Sequence, residues 1–254
     1  MSIWQETVIF VAAFAAGMIN SVAGGGTLVS FPALIWLGRD PVLANATSTV
    51  ALWPGSFGGA VGFRRELRLS SRWVLWLGLP SFAGGAVGAY LLLRTSSQTF
   101  ARVVPYLILG ATALLAAQEP LTHRLLKTKH ERPSNTWWAG AILFQFLVGV
   151  YGGYFGAGIG ILMLAALGLL GLTDIHQMNG LKNLFALCIN GVAAVYFVWA
   201  GAVIWVDVLV MAAAAIAGGY FGAGAARRLG RRFVRGFVIA VGLVMAVSLF
   251  IFRR

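Results

Sequence analysis

Charge is what this sequence has least of. Only 10% of its 254 residues are Asp, Glu, Lys or Arg, where a soluble domain carries about 25%. Acid is scarcer still. The seven carboxylates are Glu6, Asp40, Glu66, Glu119, Glu131, Asp174 and Asp207, and none is placed deep in a long apolar run. Cys188 is the single cysteine, so neither an intrachain disulfide nor a thiolate metal cluster can form. His123, His130 and His176 lie in or near polar stretches, with no H-x-x-x-H pair among them. No carboxylate pair and no G-x-S-x-G appears either. A metalloenzyme, a hydrolase or an acid–base catalyst would lack its working parts. The expectation is a protein that is not an enzyme and uses no cofactor.

Apolar residues fill the space that charge leaves. They make up 59% of the chain, and mean hydropathy is +0.85. A water-soluble body of this size cannot hide so much apolar surface, so an integral membrane protein is expected. Spanning structures must satisfy their own backbone, which restricts them to helices and closed barrels. The apolar runs are long and continuous rather than alternating, which selects helices. Net charge is +12. In a soluble protein that would point to nucleic acid; here basic residues in short loops set topology instead. The expected partners are the lipid bilayer and a small solute, with no nucleic acid; composition leaves the oligomeric state open. Residues 1–17 pass for a signal peptide in their apolar, Ala-rich character. They lack a basic start and match 137–149, so they read as part of the mature chain.

One stretch organises the rest: Gly17-Met18-Ile19-Asn20-Ser21-Val22-Ala23-Gly24-Gly25-Gly26-Thr27, which interrupts a long apolar run. A shift of 132 places Gly17 on Gly149, Gly24 on Gly156 and Gly26 on Gly158, within a second glycine-rich break at 152–158. A shift of 134 matches Ala83-Gly84-Gly85-Ala86-Val87-Gly88-Ala89 to Ala217-Gly218-Gly219-Tyr220-Phe221-Gly222-Ala223, and Asn45 to Asn179, Ser48 to Lys182 and Ser56 to Asn190. The apolar pieces after the breaks, 28–37 and 159–170, are too short to cross a bilayer, which takes about 20 residues. The expected architecture is an all-α polytopic membrane protein of two inverted repeats. Each is a Gly-broken re-entrant hairpin followed by three transmembrane helices. Repeat 1 covers 1–118, with a hairpin at 3–37 and helices at 45–63, 72–93 and 101–118. A cytoplasmic linker covers 119–136. Repeat 2 covers 137–254, with a hairpin at 137–171 and helices at 178–200, 203–226 and 233–252. The segments 83–89 and 217–223 sit inside helices, where small residues mean close helix packing rather than a break.

Inversion is argued from charge. The basic loops are 64–72, 124–132 and 227–235. The matched partner of the first, near 200–206, has no Lys or Arg, and the partner of the last, near 94–102, has two against five. Placing the basic loops inside puts fourteen of the nineteen Lys and Arg in the cytoplasm and both termini outside. Nine tryptophans are present, and all but Trp53 fall near segment ends, where an interfacial belt holds them. Trp53 reads as core.

The candidate site lies where the two hairpins would meet near the midplane. Glycine lets backbone approach a ligand closely. The helix N-termini that follow each break, from Thr27 and from Ile159, would turn N–H groups and partial positive charge toward an anion. The first half contributes Asn20, Ser21, Gly24, Gly25, Gly26, Thr27, Asn45, Thr47 and Ser48. The second contributes Gly156, Gly158, Asn179, Lys182, Asn183 and Asn190. Lys182 is the sharpest of these, because a lysine in an apolar span faces a cavity or a partner, or else snorkels to the cytoplasmic surface. For the Asn, Ser and Thr cluster the plainer alternative is interhelical hydrogen bonding. No buried acid relay is visible, so transport driven by membrane potential or by concentration is expected rather than obligatory proton coupling.

The run Gly-Met-Ile-Asn-Ser-Val-Ala-Gly-Gly-Gly-Thr-Leu-Val-Ser-Phe-Pro-Ala-Leu (17–34), followed by Ala44-Asn45-Ala46-Thr47-Ser48, resembles the TauE/SafE family of sulfite exporter-like membrane permeases. The second glycine-rich break, Asn190-Gly191 and the AGGxxGA pair are similar to it as well, and the resemblance covers nearly the whole chain. Asn179-Gly180-Leu181-Lys182-Asn183 departs from it, since family members tend to be Ser/Thr-rich there. The resemblance implies export of a small organosulfur or other organic anion, a sulfonate or sulfite, across a bacterial inner membrane. The alternatives are an uptake permease for similar anions, and a membrane accessory or assembly protein that transports nothing.

Overall fold

The computed structural model describes residues 3–22, 25–62, 71–127, 135–170, 172, 174–229 and 231–251. Among these residues there are ten helices and no strand. In chain order they are α1 (Ile3–Val22), α2 (Thr27–Trp36), α3 (Pro41–Gly62), α4 (Ser71–Arg94), α5 (Ser97–Lys127), α6 (Asn135–Tyr154), α7 (Ile159–Leu169), α8 (Ile175–Trp199), α9 (Trp205–Leu229) and α10 (Arg231–Ile251). Four helices are long and apolar enough to cross a membrane over Ile3–Asn20, Trp73–Arg94, Ser97–Ala117 and His176–Trp199. Leu75, Leu79, Phe82, Leu143, Leu147, Leu209 and Val247 are exposed along helix faces. Such surface would be a liability in water and is the ordinary lipid-facing surface of a multi-pass membrane protein. The basic loop 64–70, residues 128–134 of the expected linker and the last three residues lie outside the described residues.

Both breaks are narrower than the sequence implies. Helix α1 runs on through Val22, so Asn20 and Ser21 belong to its last turn. Helix α6 runs on to Tyr154, so Gly152 and Gly153 are helical. The reason is packing: a Cβ on Gly153 would overlap the Gly85 carbonyl, and one on Gly152 would meet Ile189 at 2.8 Å. Both helices therefore gain close contact by staying wound. After the breaks, α2 has ten residues and α7 eleven, about 15 Å each at 1.5 Å per residue, half the thickness of a hydrocarbon core.

Two helices start earlier than the apolar pattern indicates, and for the same reason. Asp40 Oδ1 accepts from the N–H groups of Val42 at 3.0 Å and Leu43 at 3.1 Å, with Pro41 in the first helical position. Asp174 Oδ1 accepts from His176 N at 2.8 Å and caps α8. The two aspartates stand 134 residues apart, the same shift as the repeat. Each is an N-cap, and each moves the polar residues behind it a turn deeper into its helix. Helix α5 extends to Lys127, past the expected start of the linker.

The most extensive packing pairs elements of opposite halves. Helix α1 lies along α9, and α6 along α4; α3 contacts α9, and α8 contacts α4; α2 touches α10, and α7 touches α5. Exchanging α1–α5 for α6–α10 maps this pattern onto itself. The tightest contacts run through glycine. A Cβ on Gly84 would overlap the Phe146 carbonyl and one on Gly88 the Val150 carbonyl; on the matched pair, a Cβ on Gly17 would overlap the Ala215 carbonyl and one on Gly218 the Phe14 carbonyl. The AGGxxGA segments are thus helix-packing surfaces, and each holds the broken helix of the opposite half. Helices α3 and α8 pack on one another, and each packs the short helix of its own half.

Candidate functional site

The first break is shaped by one amide. Asn20 Oδ1, in the last turn of α1, accepts from Gly26 N at 2.8 Å. Gly25 adopts φ +93°, which favours glycine. Gly26 is right-handed at φ −55°. It needs to be glycine for a different reason: a Cβ would overlap the Ala16 carbonyl and reach Asn20 Cγ at 2.9 Å. Leu28 N donates to Gly25 O at 2.9 Å, and Val29 N and Ser30 N to Gly26 O at 2.9 and 3.1 Å. Several amides expected to face a ligand at the start of α2 are therefore engaged inside the turn. Thr27 is half-buried and opens α2 without a side-chain cap. Gly24 and the side chain of Ser21 lie outside the described residues. Substituting Asn20 by Ala should cost about 1 kcal/mol, the usual contribution of one hydrogen bond. Thermal melting in detergent checks this, and Asn20→Asp, which keeps the acceptor, should melt near the parent.

The hydroxyls behind the break are buried. Ser30 Oγ and Ser48 Oγ lie 2.8 Å apart and tie α2 to α3. Thr47 Oγ1 faces elsewhere, accepting from Ile204 N at 3.1 Å just before α9. Asn45 crosses to the other half: its Nδ2 donates to the Tyr154 carbonyl at 3.0 Å, at the end of α6. Asn45 Oδ1 is buried with no partner in the protein. Among the described residues, two other buried acceptors share that state, Thr112 Oγ1 and Gln145 Oε1. Thr112 packs against Gly242 and Gln145 donates to Ser81, so both sit in helix–helix contacts. Only Asn45 adjoins a break.

The second break uses glycine conformation more heavily. Gly156 and Gly158 both adopt left-handed backbone, at φ +81° and +77°. Tyr151 OH donates to the Ala157 carbonyl at 2.7 Å and braces the turn from inside α6. Helix α7 begins after Gly158 with no side-chain cap. Asn190 Oδ1 lies 3.7 Å from where a Cβ on Gly156 would stand, so this part of α8 faces the break. A Cβ on Gly160 would meet Lys182 Cδ at 3.1 Å. The lysine stem thus runs across the first turn of α7. Because α8 begins at Ile175, Lys182 is its eighth residue, about 10 Å along the axis. At that level of α8 the stem lies against the first turn of α7. Asn179 and Asn183 are half-buried on the same helix.

The structure therefore gathers Lys182, Asn190, Asn45, Gly156 and Gly158 around the second break, and Asn20, Gly25, Gly26 and Ser48 around the first. Trp53 joins the central helices by donating from Nε1 to Leu187 O at 3.2 Å and lying against Gly191. Sequence reasoning missed Gly160 and Tyr151. Gly160 was legible, since Gly156, Gly158 and Gly160 recur every second residue. The Tyr151 bond carries no such pattern. It also missed an ion pair: Arg39 Nε and Nη2 donate to Asp207 Oδ2 and Oδ1 at 2.8 and 3.1 Å.

Comparison with known proteins finds relatives along nearly the whole chain. The family model described as sulfite exporter TauE/SafE matches residues 9–249. The chain is 26% identical over 249 residues to a probable membrane transporter protein of Haemophilus influenzae, covering 95% of this chain and 93% of that one. It is 27% identical over 248 residues to the probable membrane transporter protein ORF9 of a Sinorhizobium species, covering 95% and 90%. It is also 27% identical over 248 residues to the probable membrane transporter protein YfcA of Escherichia coli K12, covering 95% and 88%. No solved structure matches the chain.

Proposed function

The chain belongs to the sulfite exporter TauE/SafE family, and from that premise we propose that this multi-pass membrane transporter exports a small anion, a sulfonate or sulfite, through a site formed by its two glycine breaks. The bacterial inner membrane is its place, with both termini outside and the halves inverted. The observation that carries the reading is the second break: two left-handed glycines, an uncapped short helix and the stem of Lys182 converge there. An uncapped helix start offers N–H donors and partial positive charge. Lys182 adds a full charge, and Asn190 an amide. Backbone without Cβ atoms at Gly156 and Gly158 lets an oxyanion come close. The other wall is assigned to the first break, through Asn20, Gly25, Gly26 and Thr27, and α3 joins the two through Asn45 and Ser48. Asn179 and Asn183 line the approach from the cytoplasmic end of α8.

Export of an anion from a negative interior gains about 2.3 kcal/mol per charge per 100 mV. No proton relay is then required.

Ligand binding tests the site directly. A ligand that binds only the folded state raises its stability by mass action, by about 2.7 kcal/mol at a hundred times Kd. Purified protein in detergent should melt higher with sulfite or an alkyl sulfonate than with equal concentrations of chloride. A melting temperature indifferent to sulfite, sulfonates and small carboxylates alike would contradict the proposal.

A further inference from the structure

Arg39 and Asp207 form an ion pair away from both glycine breaks. Arg39 lies in the turn between α2 and α3, and Asp207 in the first turn of α9, so the pair joins the two halves. It is bidentate, at 2.8 and 3.1 Å. The Asp207 side chain is fully covered, while that of Arg39 keeps 22% of its surface exposed. One turn away, Ile204 N donates to Thr47 Oγ1, a second polar tie between the same elements. Along the same helix from Thr47, Ser48 reaches α2 and Asn45 reaches the end of α6. The pair thus locks the part of α3 that touches both breaks to the opposite half.

We infer that Arg39 and Asp207 form a latch closing one mouth of the transport route, and that releasing it is a step of the transport cycle. Three observations set it apart from ordinary packing. It is made of charge rather than interlocked side chains, so it can part and rejoin without repacking a core. A buried carboxylate stripped of its cation must be hydrated, and the partly exposed Arg39 is where water would enter; the closed and open states are therefore distinct. Finally, the repeat is broken here. The shift of 134 that matches Asp40 to Asp174 places Thr173 at the counterpart of Arg39 and Trp73 at that of Asp207. Neither residue carries charge, so this pair has no counterpart at the matched positions of the other half.

The test uses Ser48→Cys in a Cys188→Ser background, since Cys188 is the only native thiol. In intact cells, a membrane-impermeant maleimide applied outside should label Cys at 48 slowly. Adding Arg39→Ala with Asp207→Asn, which removes the lock without leaving a buried charge, should raise the labelling rate about tenfold, as a shift of the open population requires. Arg39→Lys, which keeps the charge, should label at a rate between the two. An unchanged rate in the neutral double variant would overturn the latch. In a second arm, Arg39→Cys with Asp207→Cys in a Cys188→Ser background, bridged by a bismaleimide whose thioethers sulfite does not cleave, should stop [35S]sulfite efflux from proteoliposomes, while the unbridged variant keeps it. Efflux at the unbridged rate would also overturn it. Labelling needs no substrate, so an absence of sulfite flux in the parent would count against the sulfite reading and leave the latch to the first arm.

Discussion

Lys182→Ala is expected to lower substrate flux by roughly ten- to a hundredfold while the protein still inserts and melts near the parent temperature. The size follows from the bond lost: a hydrogen bond to a charged group contributes about 1.5–3 kcal/mol. The location follows from the stem of Lys182 lying across the first turn of α7 beside the second break. Efflux from proteoliposomes, set against a melting curve of the same preparation, separates this from a folding defect. Lys182→Arg keeps the charge but changes its shape, and should retain part of the flux. An accessory protein without transport would be indifferent to both substitutions. Undiminished flux in Lys182→Ala would move the site away from α8.

The second large effect concerns stability. Gly88→Ala adds one methyl group where the carbonyl of Val150 and, at 2.7 Å, the amide of Tyr154 already stand. Neither is the end of a flexible side chain; both are backbone of α6. The helices must separate, and the contact between α4 and α6, one of the two most extensive in the fold, loosens. Overpacking of a dense interior costs about 3 kcal/mol at its upper usual range. Gly218→Ala should behave alike, since its Cβ would overlap the Phe14 carbonyl in the matched contact between α9 and α1. Gly78→Ala, on α4 with open space around its Cβ, is the control. It should change stability by no more than about 0.5 kcal/mol. Tryptophan-fluorescence melting of the three variants in one detergent decides the matter. Equal melting of Gly88→Ala and Gly78→Ala would refute the packing role.

These glycines show what the sequence could and could not disclose. GGYFGAG occurs at both 152–158 and 218–224, so identical residues serve different ends. At 156 and 158 they permit left-handed backbone. At 218 the need is for closeness, within an unbroken helix. The short apolar pieces after the breaks distinguished the two uses, because length limits what can span. The same reasoning set the breaks too wide, since helix packing at Gly152 and Gly153 keeps α6 wound and only tertiary contact discloses that. The starts of α3 and α8 were open to reading in Asp40-Pro41 and Asp174, where a capping carboxylate precedes the helix. His176 and Gln177 in the first turn hid the start of α8, while in α3 the polar turn Gly38-Arg39-Asp40-Pro41 set apart a first turn that is itself apolar. The Arg39–Asp207 pair was beyond reach. Its partners are 168 residues apart, and each alone reads as an ordinary charge in a loop or first turn.

The polar residues of α3 have structural work in an otherwise apolar protein. Asn45, Thr47 and Ser48 are all buried. Each ties α3 to a different element: the end of α6, the loop before α9, and α2. One short stretch of α3 is therefore tied to both breaks and to the loop before α9.

The central claim is that an anion leaves through this protein down its own gradient and the membrane potential. The most direct measurement is efflux of [35S]sulfite from proteoliposomes holding purified protein, with potential and pH gradient imposed separately. The account predicts efflux that speeds when the lumen is negative, by up to about 2.3 kcal/mol of driving force per 100 mV, and that is unaffected by a pH gradient at fixed potential. Efflux indifferent to potential but following the pH gradient would contradict it.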